Sequence, residues 1–380
     1  GFKAAKVDKF LLSVKTLPEV ARENGYKAFQ TGKVLHKPKP GVWDEMGAPR
    51  EYGPLAYNGE KTVLHPSCPE TMAELGALDA TFAPLSDVPS VPASDDAPGY
   101  TGWWKSSWDA KGPFRYVSEE DRDPLNDEQS AEWIRNKIAK LDASGSRDPF
   151  LMAMGIIRPH TPLVVPQKYF DMFPLDEITL PVIKEDDLDD IPFHGDSRGR
   201  KALAGLKNGY DNPEEGLRRH TQAYLASVAF ADEMVGEALA ALDNSSFKDN
   251  TIVILFSDHG YHMGEKDHLW KYNLWEKTTR VPLIIKDPRY ANNAGKTVKH
   301  PVSLVDIFPT IQDLCGWTGD TRIAPDAPEV DGHSMRPFLQ DPDNGKWDGP
   351  DVALSLIASW KSQKPSEQNL SVRSRDFRYT

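Results

Sequence analysis

The fifteen residues from Ser257 to Lys271 read Ser-Asp-His-Gly-Tyr-His-Met-Gly-Glu-Lys-Asp-His-Leu-Trp-Lys and hold three histidines and two lysines close to Asp258. Imidazoles move protons near neutral pH and, with a carboxylate, ligate divalent ions, while lysines neutralise oxyanions. A lone Asp-His-Gly reads as a solvated loop; the density of titratable groups turns this stretch toward a metal or anion site. Two further stretches carry compatible chemistry. Gly32-Lys33-Val34-Leu35-His36 offers a cation and an imidazole. They point to opposite faces of a continuing strand and to one pocket if the strand ends in a turn. Arg158-Pro159-His160-Thr161-Pro162 places His160 between two prolines that restrict the backbone, which suits either a positioned imidazole or a merely rigid loop.

Each stretch leaves the end of an apolar run. Thr251 to Phe256 is β-branched and apolar, Pro149 to Ile156 reads as a buried strand, and Ala28 to Thr31 is a short strand ending at Gly32-Lys33. In α/β sheets ligands bind outside the carboxyl ends of parallel strands, so one sheet edge would gather Lys33, His36, His160, Asp258, His259 and Lys271. Two lysines and a divalent cation would stabilise a tetrahedral oxyanion, and two imidazoles would move protons, as cleavage of a sulfate or phosphate ester requires.

Helices supply the rest. Thr16 caps a helix with Pro18 in its first turn, Glu19 three residues on and Gly25 as its stop. Asn126 opens a helix with Trp133, Ile134, Ile138 and Leu141 at helical spacing. Glu214 to Leu242 repeats Leu217, Tyr224, Val228, Ala231 and Val235 along one helix, and Asp306 to Gly316 forms another, with a strand at Val281 to Ile285 before it. The alternation predicts an α/β fold with a mainly parallel central sheet flanked by helices. Between Lys37 and Pro124 the Pro, Gly, Ser and Asp content predicts long irregular connections.

Composition narrows the partners. With 45 Lys and Arg against 57 Asp and Glu, the net charge of -12 argues against a nucleic-acid binder. No stretch reaches the roughly 18 consecutive apolar residues of a membrane span. Cys68 and Cys315, the two cysteines, read as two free thiols, with one bridge between them as the alternative.

The three stretches resemble the sulfatase family of the alkaline-phosphatase superfamily, in particular its iduronate-2-sulfatase-like branch. The resemblance runs through Thr16-Leu17-Pro18-Glu19, Gly32-Lys33 with His36, Pro159-His160-Thr161-Pro162, Ser257-Asp258-His259-Gly260, Gly264-Glu265, Trp270-Lys271 and Thr279-Arg280-Val281-Pro282. It implies that Lys33 and Lys271 contact sulfate, His36 hydrogen-bonds the nucleophile and His160 protonates the departing alcohol. It further implies that Asp258 and His259 ligate a divalent metal, with calcium the first choice and magnesium or another ion the alternative. His at position 259 departs from the Asn of many sulfatases and is a less natural calcium ligand.

The family's Asp-Asp metal pair and its C/S-x-P-x-R motif, whose Cys or Ser becomes the formylglycine nucleophile, do not occur; Cys68 lacks that context. The expectation is therefore a fragment: residues 1–340 form a sulfatase catalytic domain without its N-terminal strand and nucleophile, which lie upstream of Gly1, and residues 341–380 begin a smaller C-terminal region. The implied substrate is a sulfated sugar or polysaccharide in a secreted, periplasmic or lysosome-like compartment. Arg158, His262, Lys266 and His268 supply polar substrate contacts, and Trp103, Trp104 and Trp108 offer either stacking faces or ordinary core packing. The rival functions are a phosphodiesterase or phosphomutase of the same superfamily, and an anion-binding pseudoenzyme. Oligomeric state is not readable.

Overall fold

A computed structural model describes residues 12–36, 39–106, 111–189, 198–357 and 364–380; Trp108 lies outside them. The strand Lys27–Gly32 runs parallel to Phe150–Gly155 on one side, in register from Lys27 opposite Phe150 to Gly32 opposite Gly155, and to Glu45–Met46 on the other. Leu163–Val165 pairs in parallel with Phe82–Pro84.

Helices form where the caps and periodicity require. Glu19 accepts from the amide and hydroxyl of Thr16 at the head of Leu17–Glu23, and Gly25 follows at φ 84°. Helices Asn126–Ala143 and Pro213–Asp243 pack against each other, and Gly316, at φ 65°, ends Ile307–Cys315. Among the described residues no helix is long and apolar enough to cross a membrane. Cys68 and Cys315 are both free.

The principal core lies between the long helix and Leu163–Val165. Leu163, Val164, Val165, Leu206, Ala226 and Phe230 are fully buried there, each larger side chain contributing about 1.5–3 kcal/mol by leaving water. Ile134, Ile138, Leu242 and Phe247 build a smaller core where the two helices meet.

The structure departs from two expectations and decides between the alternatives for Trp103. Val253–Phe256 pairs with Leu283–Lys286 antiparallel, Val253 opposite Lys286. The chain between them holds only short elements and turns back, whereas a parallel return needs a long crossover. The stretch from Lys37 to Pro124 is not wholly irregular: Leu55–Tyr57, Thr62–Val63, Trp103–Ser106 and Lys111–Phe114 form an antiparallel sheet of strands too short to show a period. Trp103 is a core residue, fully buried with its indole N–H donating to the Leu85 carbonyl at 2.8 Å. Trp104 stacks on Tyr57, ring centroids 4.1 Å apart.

Candidate active site

Lys33 leaves its strand through a close crossing of two backbones. Gly32 adopts φ 69°, a Cβ on it would lie 2.2 Å from the Gly155 carbonyl oxygen, and a Cβ on Gly155 would lie 2.0 Å from the Lys33 carbonyl carbon. Only glycine fits at either position, and the Lys33 amide donates to Gly155 at 2.9 Å. The ends of two neighbouring parallel strands thus deliver Lys33 and the loop bearing His160 to one place. The Lys33 ammonium sits 5.6 Å from the Tyr52 ring centre, and the same ring lies 4.9 Å from the His160 ring.

The His160 loop is anchored from below. Asp127, fully buried at the start of helix Asn126–Ala143, accepts the amides of Ile157 at 2.8 Å and Arg158 at 2.9 Å. The buried Arg158 guanidinium donates to the carbonyls of Tyr52, Gly53 and Val164. Arg158 therefore braces the loop, and its donors are not turned to a substrate, which corrects the sequence expectation. Burial pushes the guanidinium down to about 10 against the charge of Asp127.

The His160 Nδ1–H donates to the Thr161 carbonyl at 2.6 Å, which leaves Nε2 as an acceptor. Burial, reinforced by Lys271, Lys33 and Arg158, pushes this imidazole down to about 4 against that hydrogen bond, so it is neutral at pH 7.

Strand Val253–Phe256 feeds the third loop. The Gly260 amide donates to Thr278 and the Tyr261 amide to Lys277, both at 2.9 Å, and the Ser257 hydroxyl donates to the His259 carbonyl. His259 uses Nδ1 on the Gly260 carbonyl at 2.8 Å and turns Nε2 toward the Lys271 ammonium at 3.0 Å. Burial first, and then the Lys271 charge, lowers the His259 pKa. Burial and Lys33 lower that of Lys271, opposed by Asp258 and Asp79. The pKa of His36, which is exposed, is lowered by burial of part of its ring and by Lys33, Arg50 and Lys271. The charges of Lys33 and Lys271 thus reach His36, His160 and His259, and that of Asp258 reaches His36, His259 and Lys271.

His262 and His268 are turned into their own loop, and Lys266 reaches out of it. His262 is buried with Nδ1 against the Glu265 carbonyl, and His268 is buried with Nε2 on the Lys271 carbonyl at 2.9 Å. Lys266 pairs with Asp187 at 2.7 Å and lies over the Trp275 ring. These contacts brace the loop that presents Lys271.

Sequence reasoning missed Tyr52, Asp127 and Asp79. Asp79 accepts from Thr161 at 3.3 Å and from Arg198 at 2.7 Å. None of these residues sits in a recognisable spacing, and only the chain path brings them in.

Asp258, its side chain largely exposed, lies 3.8 Å from His259 Nε2, so the pair offers a metal one oxygen and one nitrogen. Among the described residues no group of three or more His, Cys, Asp and Glu side chains converges. The pair fits part of a divalent-ion shell, and calcium, which takes about six to eight oxygens, requires further donors.

The chain is 33% identical over 308 residues to a sulfatase of Formosa agariphila, covering 80% of this chain and 53% of that protein. It is 28% identical over 423 aligned positions to mouse iduronate 2-sulfatase, covering 96% of this chain and 69% of that protein. The chain thus spans about half the length of the bacterial relative. The phosphonate monoester hydrolase of Silicibacter pomeroyi shares the fold, with a TM-score of 0.61 at 19% identity over 96% of this chain and 70% of that one. A family model described as Sulfatase matches residues 6–317, which together with the convergent lysines and histidines establishes that the chain belongs to the sulfatase family.

Proposed function

We propose that the protein to which this chain belongs hydrolyses sulfate esters of sugars, with Lys33, His36, His160, Asp258, His259 and Lys271 in its active site. The observation that carries the reading is the convergence of three strand-end loops on one cationic pocket, with Lys271 Nζ 3.0 Å from His259 Nε2. The named relatives include an iduronate 2-sulfatase and a choline-sulfatase, both acting on sulfate esters by name.

A formylglycine outside this sequence would supply the attack on sulfur, and a divalent ion, with calcium first, would polarise the sulfate oxygens; Asp258 and His259 would hold that ion. The chain's own residues do the rest. Lys33 and Lys271 bind the sulfate oxygens, and because they repel each other when the pocket is empty, the anion relieves that repulsion. His160, neutral at rest, must gain a proton before it can give one to the departing oxygen. The charge of the bound ester offsets the fields of Lys33 and Lys271 that hold it down. His36 assists release of sulfate. His262, Lys266, His268 and Arg158 shape the loops. We place the protein in a secreted, periplasmic or lysosome-like compartment.

Lys271→Ala in the whole protein tests the reading. Turnover of 4-nitrophenyl sulfate should fall at least about 100-fold, as for loss of a donor to a developing oxyanion. The unfolding midpoint should hold, because a desolvated, repelled cation is removed. Wild-type turnover in the variant overturns the assignment, and sulfate binding by the wild type with no turnover would mark an anion-binding pseudoenzyme.

A further inference from the structure

One carboxylate stands among the cations of the site with no part in the proposed reaction. Asp79, on the short helix Ala77–Ala80, lies beside Thr161, the neighbour of His160, and its charge reaches both Lys271 and the buried Tyr261. A carboxylate beside the cations of an anion site opposes binding of a negatively charged group on that side. Its second oxygen faces Arg198 at 2.7 Å, so the two charges cancel locally while both side chains keep exposed surface, 31% for Asp79 and 54% for Arg198. Arg198 is held in place: it also donates to the Leu75 carbonyl and stands over the Trp270 ring at 5.9 Å.

A fixed acceptor beside a fixed donor, neutral as a pair, matches neighbouring hydroxyls better than it matches a carboxylate or a second sulfate. A uronate carboxylate reaching Arg198 would have to displace Asp79 and leave it unpaired beside a like charge. Resting on the sulfatase reading above, we propose that Asp79 and Arg198 form a subsite for the free hydroxyls next to the sulfate ester. The preferred substrate is then a neutral sulfated sugar, and sulfated uronates are disfavoured. This separates the chain from what the name of its iduronate-sulfatase relative says of that protein.

The test compares the whole wild-type protein with Asp79→Ala and Asp79→Asn on galactose 6-sulfate, on a 2-sulfated uronate and on 4-nitrophenyl sulfate, which has no sugar hydroxyl. Asp79→Ala should lower kcat/KM for galactose 6-sulfate about 10- to 100-fold more than it lowers kcat/KM for the aryl sulfate, the usual cost of losing a hydrogen bond to a charged group. Asp79→Asn, which keeps an acceptor for Thr161 and Arg198, should lose less and fold normally. Equal losses on both substrates, an unchanged rate on the sugar, or a wild-type preference for the uronate would overturn the subsite. Saturation-transfer NMR with galactose 6-sulfate reads binding without turnover. If the wild type cleaves no sulfate at all, the sulfatase reading fails, and sugar binding that does or does not weaken in Asp79→Ala still decides the role of Asp79.

Discussion

The loops that carry His160 and His259 deliver the same kind of side chain to the same pocket, and they are held by opposite means. Around His160 the support is buried and charged: Arg158 and Asp127 are both enclosed, and their hydrogen bonds end on backbone groups. Around His259 the support is a set of hydrogen bonds within the loop and to Thr278 and Lys277, with Asp258 and Lys277 largely exposed. The first loop is locked to the core of the fold, and the second is a surface structure that presents charge to solvent. A pocket that keeps one imidazole neutral while holding cations in place needs both.

The comparison predicts unequal responses. Arg158→Met should be the most damaging change, because the carbonyls of Tyr52, Gly53 and Val164 lose a buried charged donor; about 3–5 kcal/mol is expected from leaving these groups unsatisfied. A urea midpoint within error of wild type would show that burial does not hold this loop.

Acid comes next. His160 and His220, the latter buried within the long helix, both have pKa values pushed down to about 4 by burial. Unfolded histidines take up protons below about pH 6.5 while these stay neutral, so the unfolded state binds more protons and stability falls as pH drops from about 6.5 to 4. Each can contribute an effect on the order of 3 kcal/mol over that window, and His160→Gln should remove a share of the slope in a pH series of unfolding midpoints. A slope unchanged by His160→Gln would place the acid sensitivity elsewhere. The smallest effect belongs to the other loop: Lys266→Ala breaks a partly exposed pair with Asp187 and should cost about 0.2–1 kcal/mol. A loss as large as that of Arg158→Met would erase the distinction between the two loops.

Much of the site was legible because its residues follow strands whose apolar runs are unmistakable. Lys33, His160 and His259 each stand within a few residues of Lys27–Gly32, Phe150–Gly155 or Val253–Phe256, and a chain leaving a strand end has few places to go. The errors have a common cause. His262, Lys266, His268 and Arg158 are polar residues near the chemistry, and local sequence does not reveal whether a side chain turns to the pocket or back into its loop. The antiparallel pairing of Val253–Phe256 with Leu283–Lys286 was hidden for a related reason, since strand direction depends on the path between strands and not on their composition. Asp79 and Tyr52 lie in stretches without periodicity and enter the site from 81 and 108 residues before His160.

The sequence by itself determined the residue types available for an anion site, the helices with their caps, and the apolar strands whose ends carry Lys33, His160 and His259, because these follow from local sterics and periodicity. Tertiary structure alone decided which polar groups face the pocket. It buried Arg158 against Tyr52 and Gly53 under the His160 loop and brought Asp79 to Arg198 and Thr161, because such pairings depend on contacts between segments far apart in the chain.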